Sequence, residues 1–278
     1  MGRSAECDYP ASVRDLPVVM SARTEDRDRP SVEIDQRVRG ARARGESLYR
    51  LDVDLLRRLR PDVLLTQDLC GVCSVTEAEV VEACVQAGLR PRIVSLSPRT
   101  LEEVWNSVET VGGAIERAPA ARALASKLRH RVDRGVGASR RRVAVLEWVD
   151  PPILAGLWTP AMIGLAGGVP LGPASGQPGL RTDWPGVEAL RPDLLVVSPC
   201  SFSVRRTASE LNGTGLGSEL LRRAGPASVY LADEAYFSRP GPRLADGVEL
   251  LRGLLQGAPA EHPMPVERFD ARVGPVAA

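Results

Sequence analysis

The sequence predicts an α/β protein built as two related lobes, and two observations carry that prediction. The first is a repeat. "LRRLRPDVLLTQDLC" runs from Leu56 to Cys70 and "VEALRPDLLVVSPC" from Val187 to Cys200. Each reads as a short helix, an Arg-Pro-Asp corner, an apolar strand and a loop that ends in cysteine. Proline stops a helix and drives the residue before it out of helical geometry, so Arg60-Pro61-Asp62 and Arg191-Pro192-Asp193 are natural helix-to-strand junctions. The second observation is the continuous apolar character of "DLLVV", which suits a parallel strand covered on both faces.

The other elements follow in order. "MGRSAECDYP" reads as the end of a strand and its loop. "TEAEVVEACVQAG" is a helix opened by Thr76 with Glu79 three residues later, a capping box, and closed by Gly88. "PRIVSLS" is the next strand. "SPRTLEEVWNSVETVGGAIE" and "APAARALASKLRHRVDRGV" are helical, broken near Gly112, Gly113 and Pro119. The second of these places Ala121, Leu124, Leu128 and Val132 at helical spacing. "RRVAVLEWV" then begins a second series, with "TPAMIGLAGG" as a helix, "DLLVV" and "SVYLAD" as strands and "LADGVELLRGLLQG" as a closing helix. The expected organisation is an N-terminal α/β lobe over 1–115, a long linking helix over 116–140, a C-terminal α/β lobe over 141–257 and a flexible tail over 258–278. "SGQPGLRTDWPG" is a surface loop.

Bulk properties narrow the function. The 278 residues suffice for one large or two modest domains, and 44% are hydrophobic, enough for a substantial core. The mean hydropathy is −0.10. Formal net charge is +1, from 36 basic and 35 acidic residues, which gives no electrostatic case for nucleic acid or an anionic membrane. No apolar run approaches the ~20 residues of a membrane span. The first residues lack a charged-then-apolar signal peptide, so the expected location is the cytoplasm, or outside it if the true start lies upstream. No phosphate-binding glycine loop, Ser/His/Asp order or HExxH motif is present. The two histidines, His130 and His262, sit in no metal or triad motif.

In α/β sheets ligands bind beyond the carboxyl ends of the strands. Those ends are "TQDLCGVC", "SLSPRT", "EWVDPPILAGLWTP", "SPCSF" and "DEAYFSRPGPR". Two lobes would turn these loops towards one cleft.

Five motifs in this order, "ECDYP", "LRPDVLLTQDLCGVC", "LEWVDPPILAGLWTP", "LRPDLLVVSPC" and "AYFSRPGPRL", resemble the cobalamin-binding branch of the class III substrate-binding proteins, which serve ABC importers of vitamin B12 and ferric siderophores. The resemblance covers roughly residues 3–255. It implies two Rossmann-like lobes joined by a long rigid helix, a corrinoid between them as ligand rather than catalytic cofactor, no enzymatic activity, and ABC importer membrane subunits as partners of a monomer. One departure from the pattern stands out. The family's first strand and helix precede the point where this sequence begins, so the first lobe is expected to lack its first strand-helix unit.

The resemblance sharpens the candidate residues. Aromatics make up only 4% of the chain, yet Trp148, Trp158, Tyr236 and Phe237 fall in two strand-end loops. A corrin ring is a broad, mostly apolar plate that flat aromatic walls bury well. The bland alternative is packing between loop and sheet. Glu147, beside Trp148, would accept hydrogen bonds from the corrin's amides, meet a transporter arginine, or cap a local turn. Glu6, Asp8 and Asp68 are further polar contacts. Cys7, Cys70, Cys73 and Cys200 all fall in predicted rim loops, while Cys84 lies on a helix and reads as core. Three readings of the rim thiols stand side by side: small fillers of tight turns, a thiol-lined corrinoid or haem site, and a cysteine-ligated metal centre with redox potential. One C-x-x-C with two scattered cysteines falls short of a zinc pattern. Arg243 would meet a phosphate or propionate, or pair with Asp246 at the helix start.

Overall fold

The computed structural model describes residues 1–23, 28–67, 75–133, 139–257 and 263–270. These form two compact α/β units. Unit 1 comprises residues 1–29, 33–97 and 110–119, and unit 2 comprises 30–32, 98–109 and 120–278.

In chain order the first elements are β1 (Arg3–Ser4), β2 (Val18–Ala22), α1 (Ser31–Ala43), β3 (Tyr49–Leu51), α2 (Val53–Leu59), β4 (Val63–Gln67), α3 (Glu77–Ala87), β5 (Arg92–Leu96) and α4 (Leu101–Ala114). Within unit 1 the strands form two small sheets. One is β1-β2-β3, with β1 parallel and β3 antiparallel to β2. The other is the parallel pair β4-β5. The predicted capping box is present: the Thr76 hydroxyl accepts from the Glu79 amide at 3.3 Å, and the Glu79 carboxylate accepts from the Thr76 amide at 2.8 Å. Gly88 closes α3 at φ +70°, where only glycine is free of steric cost. Val75, Val80 and Cys84 form a small buried cluster with Met20, Tyr49, Leu51, Leu64 and Ile93 against it. Cys84 is thus core, as expected, and burial pushes its thiol pKa up.

The remaining elements are α5 (Ala118–Val132), β6 (Arg142–Val149), β7 (Pro152–Leu154), α6 (Thr159–Leu165), β8 (Val169–Pro170), β9 (Leu180–Arg181), α7 (Trp184–Ala189), β10 (Leu194–Val197), α8 (Val204–Thr214), α9 (Leu216–Ala224), β11 (Ser228–Ala232), α10 (Leu244–Leu255) and β12 (Val266–Arg268). Unit 2 is built on one sheet of order β12-β11-β10-β6-β7-β9, with β8 also paired to β6. Its centre, β11-β10-β6, is parallel. Leu194, Leu195, Val196 and Val197 are all fully buried, so β10 is covered on both faces as its apolar run requires. Ala144, Leu146, Leu195, Val197, Leu211 and Leu220 belong to the core cluster on one side. On the other, α10 comes so near α6 that a Cβ at Gly247 would collide with Met162 and with the Tyr236 carbonyl. The Arg252 guanidinium, on α10, is 9% exposed and donates to the carbonyls of Arg131, Val132 and Leu165. One buried cation therefore serves the carboxyl ends of both α5 and α6, where the helix dipoles favour positive charge.

Both Arg-Pro-Asp corners occur where the repeat puts them, with a refinement. Arg60 and Arg191 do not simply turn extended before proline; they adopt left-handed backbone at φ +46° and +45°. Arg60 is the C-cap of α2, its amide bonded to the Leu56 carbonyl at 3.0 Å, so the helix end decides its conformation.

Two expectations need correction. Residues 263–270 are not a loose tail. β12 pairs antiparallel with β11, and Phe269 is 5% exposed within the core cluster. "SGQPGLRTDWPG" is not only loop. It contains β9, which pairs with β7, and the start of α7.

Candidate functional site

The carboxyl ends of the parallel strands in unit 2 bring three loops together. Backbone hydrogen bonds lock them: the Ser198 amide to the Leu146 carbonyl at 2.9 Å and the Cys200 amide to the Glu147 carbonyl at 3.1 Å. The Ser198 hydroxyl reaches the Asp233 carbonyl at 3.2 Å, and the Ser201 amide donates to Glu234 Oε2 at 2.9 Å. Glu234 also pairs with Arg239. The ends of β6, β10 and β11 thus form one rigid ledge.

Trp148 stands on this ledge, half-buried. Its Nε1 donates to the Asp150 carbonyl at 3.1 Å. Its ring lies 5.3 Å from that of Phe202, centroid to centroid, tilted by 56°. The Arg206 guanidinium sits 4.3 Å over the Phe202 ring, within cation–π range. Arg206 in turn pairs with Glu210 at 2.9 Å. Glu210, 3% exposed, also accepts from the amide and hydroxyl of Ser31 at 2.7 and 2.6 Å. That number of donors is what a buried carboxylate needs. The Cys200 side chain is exposed on the same ledge.

The other three predicted aromatics are placed differently. Trp158 is 4% exposed and its Nε1 donates to the Phe237 carbonyl at 2.6 Å. Phe237 is 4% exposed and Tyr236 is fully buried. The Tyr236 hydroxyl donates to the Met264 carbonyl at 2.7 Å, tying the entry to β12. Burial pushes its pKa up to about 12, against the Met264 amide, which donates to the phenol oxygen at 3.2 Å and lowers it. These three side chains spend their surface on the interior, so the reading of them as walls of a ligand site is corrected to packing.

Glu147 is half-buried and turned back on its own unit. Its Oε2 accepts weakly from the Gly156 amide at 3.4 Å, and a Cβ at Gly179 would collide with Oε1. That geometry matches the turn-capping alternative. Arg243 precedes α10, but Asp246 is taken by Arg131 at 2.5 Å.

In unit 1, the loop after β1 is organised by Arg3, whose guanidinium donates to the carbonyls of Ser4, Ala5, Cys7 and Arg14. Cys7 is exposed, with its Sγ 3.2 Å from the Ser4 hydroxyl. Asp8 is half-buried, 3.9 Å from Arg14, and Glu6 is half-buried. Asp68, Cys70 and Cys73 lie outside the described residues. Among the described residues no group of three or more His, Cys, Asp or Glu could hold a metal ion, and no helix is long and apolar enough to cross a membrane. Sequence reasoning did not single out Phe202 and Arg206. The signal available was "SFSVRR", in which Phe202 stands four residues before Arg206 at a helix start.

No protein-family model matches the chain, and no curated protein matches it in sequence. Solved structures do match in fold. A periplasmic haem-binding protein from Pseudomonas aeruginosa is 18% identical, with 96% of this chain and 88% of that one covered and a TM-score of 0.66. The periplasmic vitamin B12 binding protein of Vibrio cholerae is 17% identical, with 90% and 85% covered and a TM-score of 0.54. An ABC-type Fe3+-hydroxamate transport protein from Saccharomonospora viridis is 16% identical, with 92% and 82% covered and a TM-score of 0.59. The chain therefore has the two-lobe α/β fold of periplasmic binding proteins, as its sequence predicts.

Proposed function

We propose that the protein is a non-catalytic substrate-binding protein that holds a corrinoid on the strand-end ledge of unit 2 and delivers it to ABC importer membrane subunits. The observation that carries this is Trp148, a half-buried indole fixed by Asp150 and Phe202 beside an exposed thiol. A fixed flat aromatic suits a broad apolar macrocycle and loses little freedom on binding. Our preference for a corrinoid over haem draws on the pairing of two arginines at the ledge. Arg206 and Arg239 are engaged with Glu210 and Glu234. Haem brings carboxylates that call for uncommitted cations, whereas corrin amides ask for neutral hydrogen-bond partners. Because the fold relatives are described as periplasmic or transport proteins, the expectation of a cytoplasmic location gives way to work outside the cytoplasm.

A second reading, a haem or ferric chelate ligated by cysteine, draws on the exposed thiols of Cys7 and Cys200. One experiment separates the two. The protein is titrated with hydroxocobalamin and with hemin, followed by visible absorption, before and after alkylation of its cysteines. Saturable cobalamin binding supports the corrinoid reading. Hemin binding that alkylation abolishes, without cobalamin binding, overturns it in favour of thiolate ligation.

A further inference from the structure

We infer that Phe202 and Arg206 are positioning residues for the ligand site: they hold the Trp148 indole at the angle at which it meets the ligand. This rests on the proposal that Trp148 is a ligand-facing wall. Phe202 is 3% exposed and packs against Trp148, ring centroids 5.3 Å apart. An aromatic pair tilted by 56° at this separation is directional, since the ring quadrupoles favour tilted and offset arrangements over a face-to-face stack. Phe202 is itself held by the Arg206 guanidinium at 4.3 Å. Arg206 is kept from swinging into solvent by Glu210, and Glu210 is immobilised by the amide and hydroxyl of Ser31. The series Ser31, Glu210, Arg206, Phe202, Trp148 runs from a buried hydroxyl through a buried anion to a half-buried ring, and each member limits the rotamers of the next.

A purely structural role for Arg206 would be met by the ion pair alone. The stacking on Phe202 is not needed for that pair, and it restrains the one tryptophan that is not buried. Trp105, Trp158 and Trp184 are 1%, 4% and 9% exposed, so collisional quenching of the apo protein reports chiefly on Trp148.

The test is a double-mutant cycle with Arg206→Met, which keeps an apolar stem over Phe202, and Trp148→Ala, read by hydroxocobalamin titration. Phe202→Leu is the second variant, and far-UV circular dichroism confirms folding of each. Arg206→Met is expected to weaken binding about fivefold, the size of a partly desolvated cation–π contact, and to raise acrylamide quenching. In the Trp148→Ala background the same substitution is expected to change affinity by less than about twofold, because its effect passes through the indole. If Trp148→Ala weakens binding while Arg206→Met and Phe202→Leu leave affinity and quenching unchanged, the positioning role is wrong and the wall stands. Equal losses from Arg206→Met with and without Trp148 would also overturn it, pointing to direct ligand contact by Arg206. If Trp148→Ala itself leaves affinity unchanged, both the wall and its positioning fall together.

Discussion

The indole Nε1 of Trp158 donates a 2.6 Å hydrogen bond to the carbonyl of Phe237, joining the entry of α6 to the loop after β11 inside unit 2. Both residues read from sequence as ligand walls, and they are instead partners in the interior. Trp158→Phe should keep most of the buried area but orphan the Phe237 carbonyl. The expected loss is about 1–3 kcal/mol in urea unfolding, with ligand affinity unchanged. A variant of native stability and weakened binding would restore Trp158 to the ligand site.

Glu210 provides a second stability prediction. Ser31→Ala removes one of its donors while the Ser31 amide and Arg206 remain. The expected cost is about 1–3 kcal/mol. Glu210→Ala strips Arg206 of its carboxylate and Ser31 of its acceptor, and should cost more, about 3–5 kcal/mol, as breaking a buried pair does. Chemical denaturation of the two variants side by side checks the order.

Arg252→Met tests the shared helix cap. Methionine preserves much of the stem volume but leaves the carbonyls of Val132 and Leu165 without their guanidinium donor. A loss of about 2–4 kcal/mol is expected, with the thermal midpoint falling accordingly. An unchanged midpoint would mean that water replaces the cation at no cost.

Tyr236 predicts a pH dependence. Its pKa rises in the folded state to about 12, so folding favours the protonated phenol. The associated stability is complete below the unfolded value near 10 and is lost as pH climbs through the folded value. The sign is therefore negative between those limits, with a total of roughly 2–3 kcal/mol. Phenolate absorbance should show one of the four tyrosines titrating late, together with loss of structure. Tyr236→Phe should flatten the alkaline slope of stability relative to wild type.

What the sequence determined by itself is local and periodic. The α3 capping box, the Gly88 stop and the two Arg-Pro-Asp corners are set by residues within a few positions, so the sequence announces them; the β10 run is announced by its continuous apolar character, although its burial needs β6 and β11 beside it. The two-lobe fold followed because that local grammar occurs twice. Short or paired elements were harder to read. β12 is three residues long and exists because β11 has an edge to accept it; Phe269 shows its purpose only once the core is assembled. β9 likewise depends on β7.

The candidate site was decided by tertiary structure. Trp148 and Trp158 stand in the same segment with the same chemistry, and sequence gave no reason to rank them. Packing did so, by offering the Phe237 carbonyl to one indole and leaving the other half-open over Phe202. Which face of an aromatic is covered depends on chain that arrives from far along the sequence, and such long-range contacts leave no mark in local spacing.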